Sequence, residues 1–218
     1  MQKGNSFTIF IALVVSLGGF LFGFDASVIS GVTKYIKPEF GLSDLQLGWV
    51  VSAPTFSAMF AMLAAGTISD YIGRKKVLLA VAFLYILSAF WSAYAGGYTD
   101  LVLARMIGGI AFGAALVLAP AYIAEIAPAE QRGRLVSIQQ LNIVLGFSAA
   151  YFSNYFLQSG LTTAEWITEA NIWRWMFGME CFPAVIYFGC LFVIPNTKAT
   201  PKTKYILGLM RLAILALG

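Results

Sequence analysis

Histidine is absent from the 218 residues, which removes imidazole-based zinc sites and Ser-His-Asp chemistry together. Charge is scarce as well: Asp, Glu, Lys and Arg make up 11% of the chain, against about a quarter in a soluble domain. Cysteine occurs only as Cys181 and Cys190. Nine positions on a helix are about 13 Å of rise, beyond disulfide reach, so both read as packing residues. No metal-ligand cluster and no nucleophile–base pair stands at chemical spacing, and an enzyme has little support. Gly108, Gly109 and Gly113 would suit a nucleotide loop only between a strand and a helix. They fall inside an apolar helical run, where packing explains them. No cofactor is expected.

What the chain has in abundance is apolar length. Hydrophobic residues make up 60% of it and the mean hydropathy is +0.81, the composition of a multi-span membrane protein. The net charge of +4 could suggest nucleic acid. The basic residues are sparse and sit between apolar runs, however, so they read as topology signals and no nucleic-acid partner is expected. Six segments of roughly the 20 residues that a bilayer crossing needs can be drawn, at Phe7–Val32, Leu47–Ile68, Val77–Ala95, Leu101–Ile123, Leu135–Leu157 and Trp173–Ile194. The first is longer than a signal-peptide apolar region and has no clear cleavage site, so it is kept as a helix. An all-α six-helix bundle is therefore predicted over 1–194, followed by a cytoplasmic linker or amphipathic tail over 195–218.

Lys and Arg in the connections give the orientation. One side collects Lys3, Arg74, Lys75, Lys76, Arg132, Arg134, Lys198, Lys202, Lys204 and Arg211; the other has only Lys34, Lys37 and Arg174. Both termini are thus expected in the cytoplasm. The short first outer loop and the absence of an Asn-x-Ser/Thr site suit a bacterial inner membrane.

The stretch from Arg105 to Gln140 says most about function. Arg105 opens an apolar run, and an arginine inside a membrane helix costs about 2.5–3.5 kcal/mol on insertion scales, so it implies a partner and a task. Asp25 lies in the first segment after Gly19 and Gly23, whose spacing lets another helix approach closely. Counting 1.5 Å per residue from each segment's start places Asp25, Arg105 and Glu180 at similar depth in the outer part of the membrane. Two acids and an arginine at one level make a proton site, because arginine stays charged while a carboxyl can titrate. The competing readings are a static salt bridge and, for Asp25, simple hydration at the interface. At the other face, Gly66-xxx-Asp70-xx-Gly73-Arg74-Lys75 closes segment two, with Asp70 and Arg74 spaced to pair. Segment five aligns Gln140, Phe147, Tyr151, Asn154 and Gln158 within about 60° of arc. A stripe of amides and rings suits a polyhydroxylated ligand, although interhelical bonding explains Asn154 and Gln158 better.

GFLFGFDASVISG, GTISDYIGRKK, RMIGGIAFG, PAYIAEIAPAEQRGRLVSIQQ and NIWRWMFGMECFPA occur in an order and at a spacing that resemble the sugar porter branch of the major facilitator superfamily. The resemblance runs over nearly all of Phe7 to Ile194 and is nearest to bacterial pentose or hexose–proton symporters. It implies the N-terminal six-helix bundle of a twelve-helix transporter, made of two inverted three-helix repeats. It further implies Asp25 as proton acceptor, Arg105 as its charge partner and Glu180 as a secondary site. Gln140 and Phe22 would touch the sugar, with Phe147 and Tyr151 on the same stripe. Gly66, Asp70, Gly73, Arg74, Glu125 and Arg132 would form a cytoplasmic gating network. Two departures stand out. Pro195-Asn196-Thr197-Lys198 lacks the acid that usually follows segment six, and position 147 is Phe147 where some relatives have glutamine.

The reading is therefore proton-coupled transport of a pentose or hexose by alternating access, with this chain as one half. The half would be a fragment, a split-gene product or a protomer that pairs with a second copy. Its partners are the monosaccharide, protons, the lipid bilayer and the missing C-terminal half. The alternative is a non-transporting membrane protein that binds sugar or a partner transporter.

Overall fold

The computed structural model describes residues 2–160 and 167–195, with side chains from Phe7 onward. Its elements are α1 (Gln2–Glu39), α2 (Asp44–Ile72), α3 (Arg74–Ala93), α4 (Tyr98–Ile126), α5 (Arg132–Gly160) and α6 (Ile172–Leu191), with a 3-10 turn at Ala129–Gln131 before α5. The predicted 195–218 tail lies, from Asn196 on, outside the described residues. Five helices are long and apolar enough to cross a membrane. The sixth, α6, falls short because Arg174 and Glu180 interrupt its 20 residues. The helices also extend beyond the apolar segments, since polar caps and first turns outside hydrocarbon continue the same backbone ladder.

Local chemistry sets the breaks. Ser43 and Gln46 form a reciprocal capping box that starts α2: Gln46 N donates to Ser43 Oγ (3.3 Å), and Ser43 N donates to Gln46 Oε1 (2.9 Å). Gly73 turns α2 into α3 at φ +97°, a conformation that an L side chain rarely adopts.

Packing follows a pattern with internal symmetry. Helix α1 lies along α5, α4 lies along α2, and α3 packs against α6. Exchanging the first three helices with the last three maps these pairings onto themselves, as an inverted repeat requires. The seams are made by missing side chains. A Cβ on Gly23 would strike the Ile143 carbonyl of α5, and one on Gly146 would strike the Phe20 carbonyl of α1. In the other seam, a Cβ on Gly109 would meet Pro54 and Ser57, and one on Gly113 would sit 2.6 Å from the Ala58 carbonyl. Small polar residues join the helices where they approach. Ser57 Oγ donates to Met106 O (2.7 Å), Ser88 Oγ to Ala104 O (2.8 Å) and Asn142 Nδ2 to Ser16 Oγ (2.6 Å).

The apolar core is in two parts. One holds Leu21, Ala111–Phe112, Ala184 and Tyr187; the other holds Phe24, Leu101, Trp173 and Phe177. Helix α4 passes from one to the other between Leu101 and Ala111, and α6 between Phe177 and Ala184. The charged residues of the next section sit at this interruption.

Gly146→Ala is expected to lower stability by about 1–3 kcal/mol, because a backbone carbonyl, unlike a flexible side chain, has little room to yield. Gly178→Ala, where nothing lies within 4 Å of the new Cβ, should be neutral or mildly stabilising. Thermal unfolding of both variants in the same detergent checks the contrast.

Candidate functional site: a buried charge cluster and a neighbouring cavity

Asp25 on α1 and Arg105 on α4 meet in a two-pronged ion pair. Arg105 Nη1 donates to Asp25 Oδ1, and Nη2 donates to Oδ2 at 3.1 Å. Asp25 is 3% exposed and Arg105 2%. The guanidinium also lies 5.4 Å from the centroid of the Phe177 ring of α6, a cation–π contact that a planar, weakly hydrated cation makes well. Glu180, 2% exposed, is a second buried carboxyl, three residues along α6 from Phe177, whose ring lies against the guanidinium. The Asp25–Arg105 contact joins two of the three residues that the depth count from sequence put at one level. Three helices from both halves of the repeat thus place two carboxyls around one arginine.

At the end of the bundle bearing Arg74 and Arg132, the structure joins part of the predicted network. Arg74 Nε donates to Glu125 Oε1 at 2.7 Å, and Arg74 Nη2 stands 3.8 Å from Asp70. Gly73 supplies the positive-φ turn before Arg74. Gly66 lies one turn before Asp70, with open space where a Cβ would be. Arg132 is exposed and joins none of the ion pairs found among the described residues.

The stripe on α5 divides. Gln140 lines a cavity of about 430 Å³ between α4 and α5, together with Leu116, Pro120, Ser137 and Gln139. Phe22 is half-buried, 4.9 Å from Phe112 and 6.4 Å from Phe147 between ring centroids. It lines a separate, larger apolar groove with Phe112 and Leu116. Tyr151 is 59% exposed and lines none of these cavities. Eleven residues separate it from Gln140, about 16 Å along the helix, too far for both to hold one monosaccharide. Asn154 is buried and donates to Val28 O at 3.3 Å, an interhelical bond.

Sequence reading missed three features. Gln139, and not its neighbour Gln140, is the buried member of the glutamine pair; the i, i+3 spacing to Asn142 was the available signal. Lys75 Nζ donates to Phe192 O (2.9 Å) and Ile194 O (2.5 Å) just past α6. Arg174 Nη1 donates to Ala93 O (3.2 Å) and Ala95 O (3.0 Å) at the end of α3. Both contacts cross from one three-helix repeat to the other, which periodicity cannot report.

A six-helix, multi-pass membrane bundle with a buried acid–arginine cluster at mid-core and a basic clamp at one end defines the class: a half-bundle of the transporter type. The comparisons then identify the family. The sequence matches the family described as "Sugar (and other) transporter" over residues 11–199, and the chain belongs to it. It is 42% identical over 194 residues to the glucose transport protein of Synechocystis sp., covering 88% of this chain and 42% of that protein. It is 39% identical over 192 residues to the arabinose-proton symporter of Bacillus subtilis, covering 88% and 41%. Among solved structures, it is similar to the proton:xylose symporter XylE bound to 6-bromo-6-deoxy-D-glucose, with TM-score 0.82, 34% identity and coverage of 88% of this chain and 46% of that one. The chain spans less than half the length of these relatives.

Arg105→Met should destabilise the bundle by about 3–5 kcal/mol, since it leaves two carboxyls buried without their cation. Adding Asp25→Asn should recover part of that loss. A thermal-unfolding double-mutant cycle in detergent measures the coupling.

Proposed function

We propose that this chain is the N-terminal half of a proton-coupled monosaccharide transporter that works by alternating access. Its termini would be cytoplasmic and its site would be a bacterial inner membrane. The observation that carries this reading is the Asp25–Arg105 pair buried between α1 and α4, with Glu180 of α6 also buried in the bundle. A fixed structural pair needs one acid for one base. Here two acids share one arginine, so the cluster has a net charge of −1 when both are ionised and is neutral with one proton. Intramembrane acids arranged in this way are suited to proton relay.

Protonation of Asp25 would weaken its hold on Arg105 and free α1 from α4. Such a proton does mechanical work only by binding one conformation more tightly than another. Helix α4 offers the connection. It carries Arg105, two residues of the Gln140 cavity (Leu116 and Pro120), and Glu125 of the Arg74 clamp. A shift of α4 would therefore alter the charge cluster, the cavity and the clamp together. Gln140 and Phe22 would contact the sugar, with Phe147 supporting Phe22 from α5; Tyr151 is the weakest of the four. Arg74, Glu125 and Asp70 would hold the outward-facing state, with Arg132 awaiting a partner on the second half. That half would be a separate C-terminal polypeptide or a second copy of this chain.

The second reading is a sugar-binding membrane protein without flux. Uptake of radiolabelled sugar into proteoliposomes separates the two. Uptake driven by an inward proton gradient is expected if the half assembles into a working symporter; sugar binding without flux supports the second reading. In the transporting assembly, Asp25→Asn should abolish uphill accumulation while leaving sugar exchange measurable. Unchanged accumulation would overturn the proton-site assignment. Gln140→Ala should weaken sugar affinity by about 1–3 kcal/mol, the range for removing one buried polar partner.

A further inference from the structure

The cavity between α4 and α5 holds more hydrogen-bonding capacity than Gln140 supplies. Gln139 lines the same cavity and is only 6% exposed, yet its Oε1 has no hydrogen-bond partner. Its stem packs on α1, with Cγ 3.0 Å from where a Gly19 Cβ would be. Exchanging oxygen and nitrogen by turning the amide would only leave the other atom in that position. The contrast with its neighbours is informative. Asn142, one turn on, donates to Ser16 Oγ at 2.6 Å, and Asn154 donates to Val28 O; both spend their amide nitrogens on α1. Asn154 Oδ1 is also unpartnered, but Asn154 does not line the cavity.

The opposite wall adds an acceptor. Pro120 lies inside α4 and has no backbone N–H, so the Leu116 carbonyl loses its i+4 donor. Both residues line the cavity. Its volume, about 430 Å³, falls in the range of small-molecule sites, about 300–1,000 Å³. An amide oxygen that the fold leaves unbonded, with a helix carbonyl lacking its i+4 donor on a residue of the opposite wall, suits a ligand that brings hydroxyls to a cavity of this size.

We propose that Gln139 and the Leu116 carbonyl freed by Pro120 form, with Gln140, a hydroxyl-reading subsite, and that Gln139 determines which hydroxyl of the monosaccharide is recognised. The subsite rests on the monosaccharide reading given above. Gln139 touches sugar in this arrangement, whereas a packing residue would affect all sugars alike.

The test uses the full chain in lipid nanodiscs and equilibrium dialysis of radiolabelled D-glucose, D-xylose, D-galactose and L-arabinose. Single-deoxy analogues serve as competitors. Gln139→Met keeps the length and apolar stem. It should weaken binding of the preferred sugar on the order of ten-fold, the effect of losing one buried hydrogen bond. For the one deoxy analogue that lacks the hydroxyl read by Gln139, wild type and Gln139→Met should bind equally. Wild-type affinity in Gln139→Met, or a uniform loss with no analogue that removes the difference, overturns the proposal. If Gln139→Met does not fold, Gln139→Leu carries the test: it removes the amide oxygen at similar volume, so an unchanged ranking of the analogues overturns the proposal. If neither the chain alone nor its transporting assembly binds any of the four sugars, the monosaccharide reading itself falls, and the subsite falls with it.

Discussion

The Asp25–Arg105 pair is the constraint around which the bundle is built. Each charge alone in a low-dielectric core would carry several kcal/mol of desolvation, and Coulomb attraction offsets this only when geometry is good and the remaining donors are satisfied. The protein meets the geometric term with a fork-to-carboxylate contact and an aromatic ring beneath the guanidinium, while the buried Arg105 Nε is left without a hydrogen-bond partner. The pair also divides the apolar core into two clusters, one on each side of its level. Replacing it with leucines could leave a tighter core. That the chain keeps charge here is an argument for use, because a hydrophobic substitute of similar volume is often no worse for stability.

The pair gains further meaning from where it sits in the repeat. Asp25 belongs to the first three helices and Arg105 to the second three, so it bridges the two. Arg74–Glu125 does the same at one end of the bundle, and Arg174–Glu39, at 3.9 Å, does so at the other. The backbone contacts of Lys75 and Arg174 complete the arrangement. Each stands in the first turn of α3 or α6 and donates to carbonyls at or just beyond the C-terminus of the other helix. Those carbonyls lack intrahelical partners, and a cation there also opposes the helix dipole. An antiparallel helix pair related by inverted repetition can satisfy both ends with one device used twice.

Much of this was legible in the sequence because it depended on apolar length and on rare charges. Six segments, the level of Asp25, Arg105 and Glu180, and the Asp70–Arg74 spacing all follow from counting residues along helices. What stayed hidden needs rotation about the helix axis and knowledge of the neighbour. Gln139 and Gln140 are adjacent in sequence, but 100° of turn puts one against Gly19 of α1 and leaves the other at the rim of the cavity. Tyr151 lies on the same stripe as Gln140, yet axial separation places it outside the cavity. Arg132 has the right charge at the right end of the bundle and still has no ion-pair partner among the described residues.

Magnitudes indicate which contact controls the bundle's bias. Arg74 and Glu125 are 18% and 24% exposed in their side chains, so their pair lies closer to the surface regime, where double-mutant cycles give about 0.2–1 kcal/mol. Asp25 and Arg105 are screened from solvent on every side, and uncoupling a buried pair of that kind changes stability by about 3–5 kcal/mol. Both pairs end on α4, so the same helix responds to either, but the buried one carries most of the available energy. On the proposed proton-site reading, a single proton delivered to Asp25 would change the balance of α4 by more than the peripheral clamp restores. Under that reading the clamp would tune the resting state while the buried carboxyl decides when α4 is released.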